Sequence, residues 1–578
     1  MKLILKYLRP YMWHIIFGLV IKFAATMTEL FLPYLLEIII DDVIPTGNIR
    51  MVIMLGVLMV VCAFLGLWWN VAANRMASAT SGKATRAIRY DLFSKITHLS
   101  SKKCDEFTES SLISRLTSDT YIVNQYMNRV QRMGVRAPIL LMGGIILTMT
   151  MDVTLSLVLM AMIPLVSLVV LVCTKVGVPI YKAVQEKLDN MVKTVQENIT
   201  GIRVIKALSK TEYEKKRFNN VNEELAATER KAANVMGLSN PLTTLILNIG
   251  LVAVVLVGAY RINAGQSQPG AIIAFLTYFT IMLNAILGIT RIFILNTKGM
   301  VSAKRIAEVL EAEDDMAVMP KEGLLADKNS ENHIEFCDVC FSYNNKENNL
   351  TDISFSLKKG ETLGIIGSTG SGKSTIINLL MRFYDINSGS IRIGGEDVRT
   401  IPEERLHTMF GTAFQSDFLF ADTIRENISF GRDLSDEDII KACKTAQSYE
   451  FISKLHDGLS HMLTIKGSNL SGGQKQRLLI SRALAGNPEI LILDDSSSAL
   501  DYKTDSLLRR ALAENYGGLT SVIIAQRISS IKNADLILVL DDGCITGKGT
   551  HDELMESCPT YRKIADLQMG AQREEASI

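Results

Sequence analysis

Six stretches, near residues 14–40, 51–73, 138–151, 154–175, 242–262 and 272–295, are apolar over lengths that approach or reach what a bilayer core demands. All fall in the first 300 of 578 residues. A backbone in hydrocarbon must satisfy its own N–H and C=O groups, so these stretches can only be helices or strands of a closed barrel, and their length selects helices. The third is short before Asp152. It reads as the outer end of a helix that begins around Ile122 and forms a hairpin with the fourth. Six crossings put both termini on one side. The first stretch is too long for a signal-peptide core and lacks a small-residue cleavage site, so it is expected to be retained.

Orientation is written in the connecting segments. Lys83, Arg86, Arg89, Lys95, Lys102, Lys103, Arg115, Arg129, Arg132 and Arg136 lie between the second and third spans. Arg203, Lys206, Lys210, Lys215, Lys216, Arg217, Arg230 and Lys231 lie between the fourth and fifth. Basic excess marks the cytoplasmic face, so a cytoplasmic membrane with both termini cytosolic is expected. Residues 83–133 hold no Pro or Gly, and 180–236 hold only Gly201. Each segment therefore reads as two long helices reaching beyond the bilayer, with tips near 109–115 and 196–202.

Within the first span, Lys22, Glu29 and Glu37 fall on one helical stripe, and Asn284 and Arg291 make a similar stripe in the sixth. Charges at such depth face protein or water rather than lipid. A Lys22–Glu29 contact would be either structural or part of a substrate path. Glu37 lies near the outer surface, where solvation suffices. Net charge is +1, which gives no global field for nucleic acid and argues against such a partner. The eight cysteines are scattered, several in the second half, as suits a reducing compartment. Cys337 and Cys340 have metal-knuckle spacing, but on a strand they would face opposite sides, with no second pair nearby.

From about His333 the pattern changes to alternating strands, turns and amphipathic helices. The apolar strand at 363–366 runs into Gly367-Ser368-Thr369-Gly370-Ser371-Gly372-Lys373-Ser374, followed by Thr375 and an amphipathic helix. Such a loop rings a phosphate with backbone N–H groups at a helix N-terminus. Lys373 would reach the outer phosphates, and Ser374 would place its hydroxyl on Mg²⁺. Further on, Ser471-Gly472-Gly473-Gln474 opens another helix, a second anion-binding terminus. One copy of such a fold cannot direct both termini at the same nucleotide, so the second would serve a site on another copy. Residues 490–495, Ile-Leu-Ile-Leu-Asp-Asp, read as a buried strand delivering Asp494 and Asp495 to a site at its C-terminal end.

Together with Gln415 in Ala-Phe-Gln-Ser and with Ser498-Ala-Leu-Asp501, these segments resemble the ATP-binding cassette of ABC transporters, in the family's order. With six spans ahead of them, the chain resembles an exporter-fold half-transporter. The implied fold is an α-helical membrane domain at 1–310, a linker at 311–332 and an α/β P-loop nucleotide-binding domain at 333–578. The resemblance implies ATP and Mg²⁺ as cofactors. It implies Tyr343 stacked on adenine, Gln415 touching Mg²⁺ and the attacking water, and Asp494 holding the Mg²⁺ shell. Ser471, Gly472, Gly473 and Gln474 would close over a partner's γ-phosphate, and the tips at 109–115 and 196–202 would be coupling helices.

Three positions depart from the family pattern. Asp495 stands where the family places a glutamate base, Gln526 where it places a switch histidine, and Ile465 where an acidic residue precedes the signature. Aspartate falls about 1.5 Å short of the water it must orient, and glutamine cannot supply an imidazolium charge. The pattern resembles the degenerate half of a heterodimeric multidrug exporter. Its partner is expected to be a second half-transporter with Glu and His at these positions and a worn signature. The cargo would be amphipathic drugs, lipids or peptides. Other readings are a slow homodimeric exporter, an importer on the exporter fold, and an ATP-gated regulatory subunit. No peptidase segment precedes the first span, which argues against a cleaving peptide exporter.

Overall fold

The computed structural model describes the chain except residues 314, 321–330, 345, 416–417, 497–498 and 576–578. Within helices, the side chains at 170, 174, 178, 239–240, 290–291, 293–294 and 569–575 are also outside the described set. Arg291 and Ser498, both singled out in the sequence, therefore lie outside the described residues. Contacts divide the chain into two units, Met1–His98 with Thr108–Ala312, and Leu99–Phe107 with Glu313–Ile578.

The first unit is helical. Its helices are α1 (Lys2–Leu8), α2 (Met12–Ile38), α3 (Ile49–Thr97), α4 (Ser101–Phe107, which groups with the second unit), α5 (Glu109–Ser114) and α6 (Thr120–Met133). They continue as α7 (Arg136–Met151), α8 (Val153–Thr200), α9 (Ile202–Ala207), α10 (Thr211–Gly237), α11 (Ser239–Asn263) and α12 (Pro269–Leu310). Among the described residues, 6 helical runs are long and apolar enough to cross a membrane, in the order the sequence predicts. Asp152 ends the third run and starts the fourth. Its carboxylate accepts from the N–H groups of Thr154 (2.9 Å) and Leu155 (3.2 Å) at the start of α8, and its other oxygen takes Arg261 Nε at 2.9 Å. One side chain thus caps a helix and pairs a buried charge, which fixes the hairpin.

Two expectations change here. The first turn beyond the bilayer helices lies at 98–108, ahead of the expected 109–115, which instead begins the returning run. No glycine or proline marks it. The break comes at His98, and Ser100 Oγ then accepts from Lys103 N at 3.2 Å to start α4. The second turn contains α9 at 202–207, just after the expected tip. Lys22 and Glu29 do not pair. Seven residues separate them by about 10 Å along a helix axis, and each finds a partner on another helix. Lys22 Nζ donates to Asn70 Oδ1 at 2.6 Å and Asn74 Oδ1 at 3.1 Å, while Glu29 takes Arg136 at 2.6 Å.

The second unit holds two sheets. The strands are β1 (Asn332–Phe341), β2 (Leu350–Lys358), β3 (Thr362–Gly367), β4 (Ser388–Ile393), β5 (Glu396–Asp397), β6 (Phe410–Ala413), β7 (Ile490–Asp494), β8 (Thr520–Ile524), β9 (Leu536–Asp541) and β10 (Cys544–Gly549). An antiparallel sheet has the order β2-β1-β4-β5, and a larger one β10-β9-β3-β8-β7-β6. In the larger sheet β9, β3, β8, β7 and β6 are parallel, and β10 runs antiparallel at the edge. All five residues of β7 are buried, which explains its unbroken apolar run. Four helices matter below: α13 (Lys373–Leu380), α14 (Gly472–Ala485), α15 (Tyr502–Asn515) and α16 (Pro559–Glu575). Within this unit Tyr384 Oη donates to Asp105 of α4 at 2.6 Å. Burial and that carboxylate push the Tyr384 hydroxyl well above the usual phenol range.

Candidate nucleotide site

Ligands of open parallel sheets sit beyond the carboxyl ends of the strands, and five such ends converge here. β3 ends at Gly367, β7 at Asp494 and β9 at Asp541, while Gln415 and Gln526 follow β6 and β8 by two residues. These residues line one cavity of about 590 Å³, with Asn349, Ser368, Thr369, Gly370, Gly372, Lys373, Ser374, Thr375 and Asp495.

The loop before α13 is shaped by two glycines. At Gly367 a Cβ would stand 2.2 Å from Leu540 O, so only glycine allows β3 to end against β9. Gly372 has φ +96 at the helix N-cap, a left-handed geometry that side chains resist. Lys373 Nζ curls back onto the loop, donating to Gly367 O at 3.0 Å and Ser368 O at 2.6 Å. Ser371 Oγ is buried and has no hydrogen-bond partner among the described residues, an uncommon and costly situation. A phosphate in this loop would give that hydroxyl an acceptor. Ser374 Oγ donates to Asp494 Oδ2 at 3.0 Å, so two oxygens suited to Mg²⁺ already face each other. Burial lowers the Lys373 ammonium from its ordinary value, against the attraction of Asp494 and Asp495. Burial also raises the Asp494 carboxyl, aided by Asp495 and opposed by Ser374 and Lys373. Cavity, loop and oxygen pair together fit a Mg²⁺–nucleoside triphosphate.

Asp495 is held differently. Its Oδ2 accepts from Gln526 Nε2 at 2.8 Å and from Gln415 Nε2 at 3.2 Å. Its backbone N–H donates to Ile524 O at 3.0 Å. Its φ is 48, a region that aspartate tolerates better than longer or branched side chains. Three sequence-selected residues thus meet at one carboxylate. A fourth participant escaped the sequence reading. Gln568, on α16, donates through Nε2 to Gln526 O at 2.8 Å and accepts from Ile528 N at 2.8 Å. Its amide clamps the loop that carries Gln526. A lone glutamine 42 residues away carries no sequence signal for this.

Tyr343 is not on the cavity wall. Its ring packs edge-on to Phe341 and Tyr384, centroids 4.7 Å and 5.0 Å apart, and its hydroxyl reaches Thr375 Oγ1 at 3.4 Å. Nor do Ser471, Gly472, Gly473 and Gln474 line it. They form a capping box at α14: Gln474 N donates to Ser471 Oγ at 3.3 Å, and Ser471 N to Gln474 Oε1 at 2.9 Å. Ile465 is an exposed residue in a tight turn with Lys466 at φ 59.

The two units define a multi-pass membrane protein carrying a P-loop nucleotide-binding domain. A model described as "ABC transporter transmembrane region" matches residues 15–286, and one described as "ABC transporter" matches 350–498. The chain is 36% identical to the uncharacterized ABC transporter ATP-binding protein YfiB of Bacillus subtilis (strain 168), over 99% of both chains. It is 31% identical to the uncharacterized ABC transporter ATP-binding protein Rv1273c of Mycobacterium tuberculosis (strain ATCC 25618 / H37Rv), over 98% of both. The structure of a bacterial Atm1-family ABC exporter with ATP bound superposes with a TM-score of 0.82 at 23% identity, covering 96% of this chain and 99% of that one. That likeness establishes the fold. The chain belongs to the ABC transporter family, as a half-transporter whose membrane region is fused to its ATPase domain. Its second unit is thus an ATP-binding domain of the kind whose hydrolysis is coupled to transport.

Proposed function

We propose that this chain is one half of a heterodimeric, ATP-driven exporter of amphipathic compounds in the cytoplasmic membrane. It holds ATP at a hydrolysis-impaired site and lends its signature to a partner half-transporter. The carrying observation is the Asp495 carboxylate, pinned by the amides of Gln526 and Gln415 at 2.8 Å and 3.2 Å. Glycines 367, 370 and 372 with Ser368, Thr369, Ser371 and Thr375 would cradle the phosphates, and the base would extend beyond the cavity wall to reach the Tyr343 ring. Lys373 leaves its loop carbonyls for the phosphate oxygens. Ser374, Asp494 and Gln415 would hold Mg²⁺, which would shield phosphate charge when bound.

The impairment follows from geometry and charge. Asp495 ends about 1.5 Å short of where a glutamate would orient water, and misplacement on that scale costs about 10²-fold. Its accepting oxygen is already saturated by two amide donors. Gln526 donates a neutral hydrogen bond where an imidazolium would add positive charge. The basic segments 83–136 and 203–231 support cytosolic placement of both termini and of the ATPase domain.

The test is ATPase activity of the purified chain in nanodiscs, alone and with a co-expressed half-transporter carrying Glu and His at these positions. The chain alone should turn over about 10²-fold more slowly than the pair. Asp495→Glu combined with Gln526→His should recover most of that deficit. Robust hydrolysis by the unaltered chain alone would instead establish the slow-homodimer reading, in which the buried Asp495 carboxylate suffices.

A further inference from the structure

Two adjoining cavities open among the helices of the first unit and share Met133 and Arg136 on their walls. One, of about 370 Å³, is lined by Lys22, Asn70, Asn74, Arg129 and Arg132. The other, of about 270 Å³, adds Glu29 and the apolar side chains of Ala137, Leu140, Ile281 and Ala285. Four cations therefore face this space, and Glu29 is the one carboxylate on its walls among the described residues.

That carboxylate is already committed. Both Glu29 oxygens engage Arg136, at 2.6 Å and 2.8 Å from its NH2 nitrogen, and Nε adds a contact of 3.2 Å. Lys22, 4% exposed within the first apolar span, is held only by neutral amide oxygens of Asn70 and Asn74. Arg132 Nε shares the same Asn74 oxygen at 3.0 Å. Neither of these, nor Arg129, has a carboxylate partner among the described residues. For Lys22, buried in the first apolar span, amide oxygens satisfy hydrogen bonds but leave the charge uncompensated, which is costly among apolar helices. Arg129 and Arg132 are exposed and add positive field at the cavity mouth. An anion in the cavity offsets that cost, and guanidinium groups suit carboxylate, sulfonate or phosphate oxygens in particular. The adjoining apolar wall continues from the cationic one through Met133.

The geometry points to amphipathic anions as the ligand class of this cavity, with an acidic head among Lys22, Arg129 and Arg132 and an apolar body along Met133 and Leu140. This inference rests on the transport reading above and narrows its cargo. A free acidic amphiphile and the headgroup of an anionic lipid share the required chemistry.

The test uses the full-length chain in phosphatidylcholine nanodiscs, titrated with dansyl-labelled undecanoate and with a dansyl-labelled trimethylammonium probe of equal chain length. The carboxylate should bind about ten- to a hundredfold more tightly, the scale of a charge-assisted contact. Arg129→Gln and Arg132→Gln should each weaken carboxylate binding about tenfold, and Arg132→Lys should restore most of it. Displacement by phosphatidylglycerol would identify a lipid headgroup as the occupant, and indifference to it a free amphiphile; both support an anion site. Equal affinity for the two probes, or carboxylate binding unmoved by both glutamine variants, overturns the inference. ATP-driven uptake is read separately, in inside-out vesicles that hold the chain together with a co-expressed half-transporter carrying Glu and His at the positions of Asp495 and Gln526. Charge-selective binding without uptake supports the site and removes the exporter reading. Uptake without charge selectivity in binding removes the anion assignment and leaves the exporter reading standing.

Discussion

The P-loop face and the signature face of the same ATPase domain are built in different ways. On the signature face, Ser471 and Gln474 close a reciprocal capping box at the start of α14. On the P-loop face, the phosphate loop lies before α13, and one oxygen of the Asp495 carboxylate after β7 accepts from both Gln415 and Gln526. A chain under no demand to hydrolyse would be free to lose either face. A loop shaped for phosphate on one face and a capped helix start on the other fit the proposed division, in which this chain holds nucleotide and completes a partner's site.

The largest expected effect is on the signature face. A Cβ at Gly473 would meet Ala499 O at 3.1 Å, and an added carboxylate would confront the phosphate directly. Gly473→Asp in the assembled pair should lower ATP hydrolysis by about 10²–10³-fold, as for loss of an aligned transition-state donor. ATP binding at this chain's own P-loop should be unchanged, as read by photo-crosslinking of labelled nucleotide. Retained turnover would show that the signature face serves no working site.

The P-loop face should give the complementary pattern. Lys373→Ala removes a charge-assisted contact worth roughly 1.5–3 kcal/mol, so nucleotide affinity of the isolated chain should fall about ten- to a hundredfold. The pair should keep most of its turnover, since its working site uses the partner's lysine. Collapse of turnover in the pair would mean that the two sites are not divided as proposed.

Why some of this was legible in the sequence and some was not has a physical basis. The spans and the P-loop were readable because each is set by local chemistry: apolar length, glycines at strained positions, and a strand directly before the loop. Asp495 and Gln526 were readable as departures because their positions follow buried strands by fixed short offsets. Ion pairing was not readable. The Lys22–Glu29 spacing suggested one stripe, but partner choice depends on which helices pack together, and Asn70, Asn74 and Arg136 come from two other helices. The first turn beyond the bilayer helices also hid, because the helical run breaks at His98 without glycine or proline, and a serine cap starts the next helix.

Gln568 is the sharpest case of a residue visible only in three dimensions, and it supplies the smallest expected effect. Its amide bridges the backbone on both sides of Arg527, accepting from Ile528 N and donating to Gln526 O. The loop that aims Gln526 at Asp495 is therefore set partly by α16, outside every recognised motif. Gln568→Ala removes two neutral hydrogen bonds, about 1–2 kcal/mol of local stability. Amide exchange at Ile528 should accelerate by about 5- to 30-fold, with exchange in β7 unchanged. If the clamp also keeps Gln526 on Asp495, the same variant placed beside Asp495→Glu should raise residual hydrolysis of the chain alone, because the base position is no longer saturated. Faster exchange without that gain would assign Gln568 to loop stability alone. The proposed impairment of the P-loop face would then rest on Asp495 and Gln526 themselves, without help from α16.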